Sequence, residues 1–135
     1  MLWIWGDIDI RYSMKYNWLD EYLMRKNGVT KDFKAEWGWY RYMIGGKMFV
    51  AVCMGEDNKP YYITLKLEPA EGEYWRQQYE DVIQGYYMNK VHWNSIKPDG
   101  AVPDDILRDM VDKSYTLVLQ SLPKKLQKEI TGKNN

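Results

Sequence analysis

One segment concentrates the groups that could do chemistry. Gly85-Tyr86-Tyr87-Met88-Asn89-Lys90-Val91-His92-Trp93-Asn94-Ser95-Ile96 holds the only histidine of the chain, three aromatic rings, two asparagines and a lysine, and no carboxylate. Such rings stack on flat heterocycles, side-chain amides hydrogen-bond their polar edges, and an ammonium group meets phosphate. The parts of a catalytic centre are missing. A histidine acting as general base needs a group to orient it, and zinc needs three or four ligands. His92 has no Asp, Glu or Cys at a suitable spacing, so it reads as a neutral ring that orders the turn or touches a ligand.

The other candidates resolve into structural roles. Gly45-Gly46-Lys47-Met48 lacks the first glycine and the Ser/Thr of a phosphate-binding loop, and reads as a hairpin turn. Cys53 is the single cysteine, which excludes an intrachain disulfide and a cysteine-based zinc site, and suits a reducing cytoplasm. In a strand it reads as a small hydrophobe. Glu71, Glu73, Asp104 and Asp105 fall at helix starts, where acids complement the dipole. Lys124, Lys125 and Lys128 form a basic cluster, either a solvated tail or an auxiliary phosphate contact. No GxGxxG, HExxH or GxSxG motif occurs. The chain therefore reads as non-enzymatic, without cofactor or metal.

These residues must be positioned by an α+β framework. With 135 residues the chain fits one domain. Residues 1–15 read as an N-terminal arm, with Asp7–Tyr12 alternating like an edge strand. Residues 16–131 read as the domain and 132–135 as a tail. A first helix is predicted over Asn17–Asn27, capped by Asn17 and closed at Gly28. Strands follow at Trp39–Ile44, Lys47–Met54 and Tyr61–Leu67, then a helix from Pro69 to about Tyr79. Two more strands, about 82–88 and 92–97, flank the Met88–Val91 turn. A long helix opens at Pro103, with Ile106, Leu107, Met110, Val111, Ser114, Leu117, Val118 and Leu122 in its apolar stripe. Pro123 ends it, and a Lys-rich tail follows. The order α-β-β-β-α-β-β-α gives a two-layer sandwich, an antiparallel sheet with helices on one face. The other face is left open to water or to a partner.

Charge is segregated along this framework. The totals cancel, 19 basic against 19 acidic residues, which argues against a strong non-specific polyanion binder. Yet Trp37–Met54, Asn58–Leu67 and Val82–Pro98 carry Arg41, Lys47, Lys59, Lys66, Lys90 and Lys97 and no acid. If these cations share the open face, Phe49, Tyr62 and Trp93 would interleave with Lys47, Lys66 and Lys97. Strand propensity and protection of sheet edges produce the same pattern, and alternation does not separate the readings. Aromatics are 16% of the chain, enough to supply both a core and half-exposed rings. No apolar run approaches the roughly 20 residues that span a bilayer, and Met1–Trp5 lacks the basic region of a signal peptide.

Several blocks together resemble the MmcQ/YjbR family. They are Gly28-Val29-Thr30-Lys31-Asp32-Phe33, Ile44-Gly45-Gly46-Lys47-Met48-Phe49 and Ile63-Thr64-Leu65-Lys66-Leu67-Glu68-Pro69. The 85–96 segment, Asp112-Lys113-Ser114-Tyr115 and Leu122-Pro123-Lys124-Lys125 complete the set, in order, over about residues 17–128. The resemblance implies a CyaY-like, secretion-chaperone-like α+β fold and a DNA-binding role through a double wing of hairpins, with no enzymatic activity. Lys47, Lys66, Asn89, Lys90, His92, Trp93 and Asn94 match its motif. Tyr87 stands where the family commonly has His, and Val91 where it has a basic residue.

Two expectations follow. In the first, Lys47, Lys66, Lys90 and Lys97 contact phosphates of DNA or RNA, Tyr62, Trp93 and Tyr86 stack, and Asn89 and Asn94 reach sugars or base edges. In the second, the open sheet and the N-terminal arm contact another protein or a second copy of the chain.

Overall fold

The computed structural model describes residues 14–85 and 88–132. The predicted arm strand at Asp7–Tyr12, together with Tyr86 and Tyr87, lies outside them. The elements are α1 (Leu19–Met24), β1 (Thr30–Lys34), β2 (Trp39–Ile44), β3 (Lys47–Met54), β4 (Pro60–Lys66), α2 (Pro69–Gln78), β5 (Val82–Gln84), β6 (Trp93–Ile96), α3 (Asp104–Gln120) and α4 (Lys124–Thr131). The strands form one antiparallel sheet in the order β1-β2-β3-β4-β6-β5. The α+β class and the open sheet agree with the sequence reading.

Alternation along the strands decides which face is covered. Tyr42, Val50, Leu65 and Asn94 pair across the sheet on one side, and Tyr40, Val52, Ile63, Ile96 and Val82 form the next rung. All of these except the polar Asn94 join Leu107, Met110, Val111 and Val118 of α3 in the main core. The register is broken once in β2–β3, where Tyr42 faces Val50 but Met43 faces Met48, leaving Phe49 as a bulge. Phe49 is thereby turned into the helical layer, fully buried and edge-to-face with Tyr115 at 5.4 Å. Strict alternation puts it on the opposite side with Lys47, so its predicted place among the open-face lysines is wrong.

Three elements differ from the sequence reading. The first helix is shorter than 17–27 and has no side-chain cap at Trp18. Burial of Leu19 and Leu23 holds it instead, and Lys26 and the Tyr22 hydroxyl reach the Asp112 carboxylate of α3 at 2.5 and 2.8 Å. The segment after Gly28, to which the sequence reading assigns no element, forms the edge strand β1. The Lys-rich tail is helix α4, with Pro123 at its N-cap and Gly132 left-handed at its end. Its apolar residues are used: Leu126 meets Gly45 and Ile130 meets Gly28. The β2–β3 turn follows expectation, with Gly45 and Gly46 at φ of +55° and +80°, as a two-residue hairpin requires.

Candidate nucleic-acid interface

The face away from the helices has a continuous row, Asp32–Arg41–Ala51–Thr64–Ser95–Ile83, one residue from each strand. Its β1 end corrects the expectation of an acid-free sheet. Asp32 accepts two hydrogen bonds from Arg41, at 2.8 and 2.6 Å. The guanidinium holds the Asp32 carboxyl below its usual range, and Arg41 is neutralised where it stands. The middle of the face is not cationic either. Ala51, Cys53 and Ser95 are fully buried and Thr64 nearly so. Trp39, Ala51 and Cys53 form a second apolar cluster, against which Met48, Tyr61, Tyr62 and Met88 pack. Met88 comes from the β5–β6 connection, which therefore reaches over this face. Burial pushes the Cys53 thiol up to about 12, so at neutral pH it carries almost no thiolate, consistent with a packing role.

Three of the expected cations lie at one end of the sheet instead. Lys47 starts β3, and Lys66 ends β4 opposite Trp93, the first residue of β6. The antiparallel register brings those strand ends to the same rim. Lys90 adjoins it, its carbonyl accepting a hydrogen bond from Gln84 of β5 at 3.4 Å. Lys47 and Lys90 are exposed and Lys66 is half-buried. None of the three forms an ion pair among the described residues, whereas Arg25, Lys26, Lys31, Lys34, Arg41 and Lys113 all do. Lys47 makes only a long contact, 3.4 Å, to the Ser121 hydroxyl. Glu68, exposed just beyond β4, is the carboxylate nearest in sequence to Lys66.

The remaining motif residues divide. Trp93 is half-buried on the face away from the helices, beside Lys66. Asn89 shapes the turn: its Oδ1 accepts the Val91 N–H at 2.8 Å and its carbonyl accepts the Trp93 N–H at 3.0 Å. His92 is half-buried, and its carbonyl accepts the Leu67 N–H at 2.8 Å. Two expected contacts are not at the rim. Lys97 follows the other end of β6 and donates its N–H to the Asp81 carbonyl at 3.0 Å. Asn94 faces the helices, fully buried, and cannot reach a base edge. Its Oδ1 accepts the Arg76 guanidinium at 2.5 Å, tying α2 to the sheet.

Sequence reasoning missed a cavity of about 690 Å³ on the same side of the sheet. Among the described residues it is lined by Glu36 and Trp37 of the β1–β2 turn, Trp39, Tyr61, Met88 and Asn89. The Trp37 and Trp39 rings meet edge-to-face at 5.1 Å, and Trp37 is half exposed, at 52%. The available signal was the Trp37-Gly38-Trp39 doublet, of which Trp39 is buried and Trp37 left half exposed. Among the described residues no three His, Cys, Asp or Glu side chains gather as metal ligands, and no helix is long and apolar enough to cross a membrane.

Known proteins share this framework. Residues 24–117 match the YjbR family model. The chain is 31% identical over 108 residues to the uncharacterized protein YjbR of Escherichia coli K12, covering 80% of this chain and 90% of that one. It is 35% identical over 89 residues to the uncharacterized protein YbdF of Escherichia coli O157:H7, covering 66% and 71%. Among solved structures, Deinococcus radiodurans protein DR2400 superposes with a TM-score of 0.77 at 24% identity, over 91% of each chain. A Pseudomonas syringae protein superposes with a TM-score of 0.62 at 18% identity, over 77% of this chain and 98% of that one. These two likenesses concern the fold.

Proposed function

We propose that this chain, which belongs to the YjbR family, is a non-enzymatic nucleic-acid-binding protein that works through the lysine rim rather than the centre of the sheet. The observation that carries the reading is the division among cations. Lys26, Lys31, Arg41 and Lys113 are paired with carboxylates, while Lys47, Lys66 and Lys90 share one rim without such a partner among the described residues. Unpaired ammonium groups along one rim meet phosphates at little desolvation cost, and each contact releases counterions. Trp93, beside Lys66, adds a surface on which a base stacks, worth on the order of 1–3 kcal/mol.

Fluorescence anisotropy against single- and double-stranded DNA and RNA tests this, at about 50 and about 200 mM salt. The parent should bind at the lower salt and weaken at the higher. A Lys47→Glu/Lys66→Glu/Lys90→Glu variant should lose at least about tenfold in affinity and flatten the salt dependence by about two to three contacts. Lys97→Glu, at the far end of the sheet, should bind like the parent. No binding at low salt, or equal loss from Lys97→Glu, would refute the rim.

A second reading has one specific support. Phe33 and Trp37, at the β1 edge of the sheet, are 48% and 52% exposed, and a sheet edge that carries exposed rings is a site for pairing with another chain. Light scattering over a dilution series should then show a dimer that Phe33→Lys dissociates; a monomer at every concentration removes this reading.

A further inference from the structure

The cavity and the rim meet in one short stretch of chain. Met88 and Asn89 line the cavity, and Lys90 follows directly at the rim. We propose that the cavity receives one unstacked nucleobase, guanine by preference, from a single strand whose phosphates follow the lysine rim; this rests on the nucleic-acid reading above.

Three features select that ligand. The first is size: about 690 Å³ lies in the ordinary range for small-molecule sites and exceeds one base, leaving room for its sugar. The second is the walls. Trp37, half exposed, presents a flat ring backed by the buried Trp39, with the half-buried Tyr61 and the polarisable Met88 thioether beside it, walls suited to a heterocycle taken out of a base stack. The third is the polar edge. Glu36 is an acceptor at the cavity, and guanine is the base that presents two adjacent donors, N1–H and the 2-amino group, to one carboxylate. Asn89 accepts the Val91 N–H at its Oδ1, and its Nδ2, which has no partner among the described residues, is a donor that complements the guanine O6.

Local charge does not favour an ionic ligand. Lys34 and Arg41 lie 5.3 and 5.9 Å from the Trp37 ring centre, but Asp32 pairs with Arg41, and Glu36 lies 4.0 Å from Lys34. The carboxylate at the cavity opposes a phosphate there. The phosphates belong at the rim and the neutral ring in the cavity. A duplex keeps its bases stacked and cannot fill the site without extruding one, so single strands are the preferred form.

Guanosine, which has no phosphate, separates the cavity from the rim. In NMR titrations of the full chain, guanosine should shift the Trp37 and Trp39 indole N–H signals and the Met88 methyl. Cytidine and uridine should do so more weakly. Met88→Trp, which narrows the cavity, should weaken those shifts and the affinity for a guanine-containing single strand. Glu36→Gln should remove the preference for guanosine. The triple lysine variant should still bind guanosine, so failure of the rim and failure of the cavity are told apart. Saturating guanosine that shifts neither indole would overturn the proposal. So would guanosine binding combined with a Met88→Trp variant that holds the single strand as tightly as the parent.

Discussion

Ser114→Ala should destabilise the domain by about 2–4 kcal/mol, far more than loss of one hydroxyl from a helix would suggest. The reason lies in the bulge at Phe49. Its extra residue interrupts the β2–β3 ladder, and the Phe49 carbonyl is turned toward α3. The buried Ser114 hydroxyl donates to that carbonyl at 2.6 Å and accepts the Lys66 N–H at 2.9 Å. One side chain thus satisfies a backbone acceptor of β3 and a backbone donor of β4 and fastens both to the long helix. Alanine is the better helix former, so propensity works against the predicted effect and cannot imitate it. Each stranded buried group costs roughly 1–3 kcal/mol. Urea unfolding should show a lower midpoint with an unchanged slope, and the Lys66 amide should exchange faster with solvent. Thr116→Ala, exposed on the same helix, should stay within about 0.5 kcal/mol of the parent. A Ser114→Ala midpoint equal to the parent's would mean that water replaces the hydroxyl and that the bulge is not anchored there.

That anchor explains much of what the sequence could and could not reveal. Strand β4 was legible because its residues alternate between apolar and polar, and β3 because a continuous apolar run follows a two-glycine turn. The Gly45-Gly46 turn was legible because few residue pairs accept two positive φ values in succession. Phe49 was misplaced because a bulge shifts parity by one residue, and nothing in Lys47-Met48-Phe49-Val50 announces the shift. Strand β1 was missed because Thr30-Lys31-Asp32-Phe33-Lys34 has a single apolar residue, and that residue is half exposed. The omission carried a cost: Asp32 was counted outside the sheet, so the face looked free of acid. Helix α4 was missed through its lysines, although Leu126 and Ile130 stand four residues apart between Pro123 and Gly132, the spacing and the boundaries of an amphipathic turn.

The candidate site was legible in chemistry and not in placement. Lys47, Lys66 and Lys90 do come to one rim, because three consecutive sheet neighbours end there. Lys97 does not, since β6 carries it to the opposite end, and a charge count along the chain has no knowledge of strand direction. The cavity was hidden for a related reason. Its walls come from a turn, the starts of two strands and a distant connection, which no local pattern joins.

Asn94 gives the sharpest test of that distinction. In the sequence it sits in the middle of the polar, aromatic segment, beside Trp93, and looks like a group for reading bases. In the fold it is fully buried on the helical side. Its Oδ1 accepts from Arg76 at 2.5 Å and its Nδ2 donates to the His92 carbonyl at 3.2 Å. A Cβ added at Gly72 would lie 2.9 Å from the same amide, so α2 approaches it closely. Asn94→Leu, similar in volume, should therefore cost about 2–3 kcal/mol, because a half-buried guanidinium loses its acceptor. Asn94→Leu/Arg76→Leu should cost less than the sum of the single changes, since the second removes the group that the first leaves stranded. Below its unfolding midpoint Asn94→Leu should bind nucleic acid like the parent. Lys66→Glu should show the reverse, with stability kept and affinity reduced. If Asn94→Leu were instead as stable as the parent and failed to bind, the amide would belong to the recognition surface and the assignment of the rim would have to be redrawn around it.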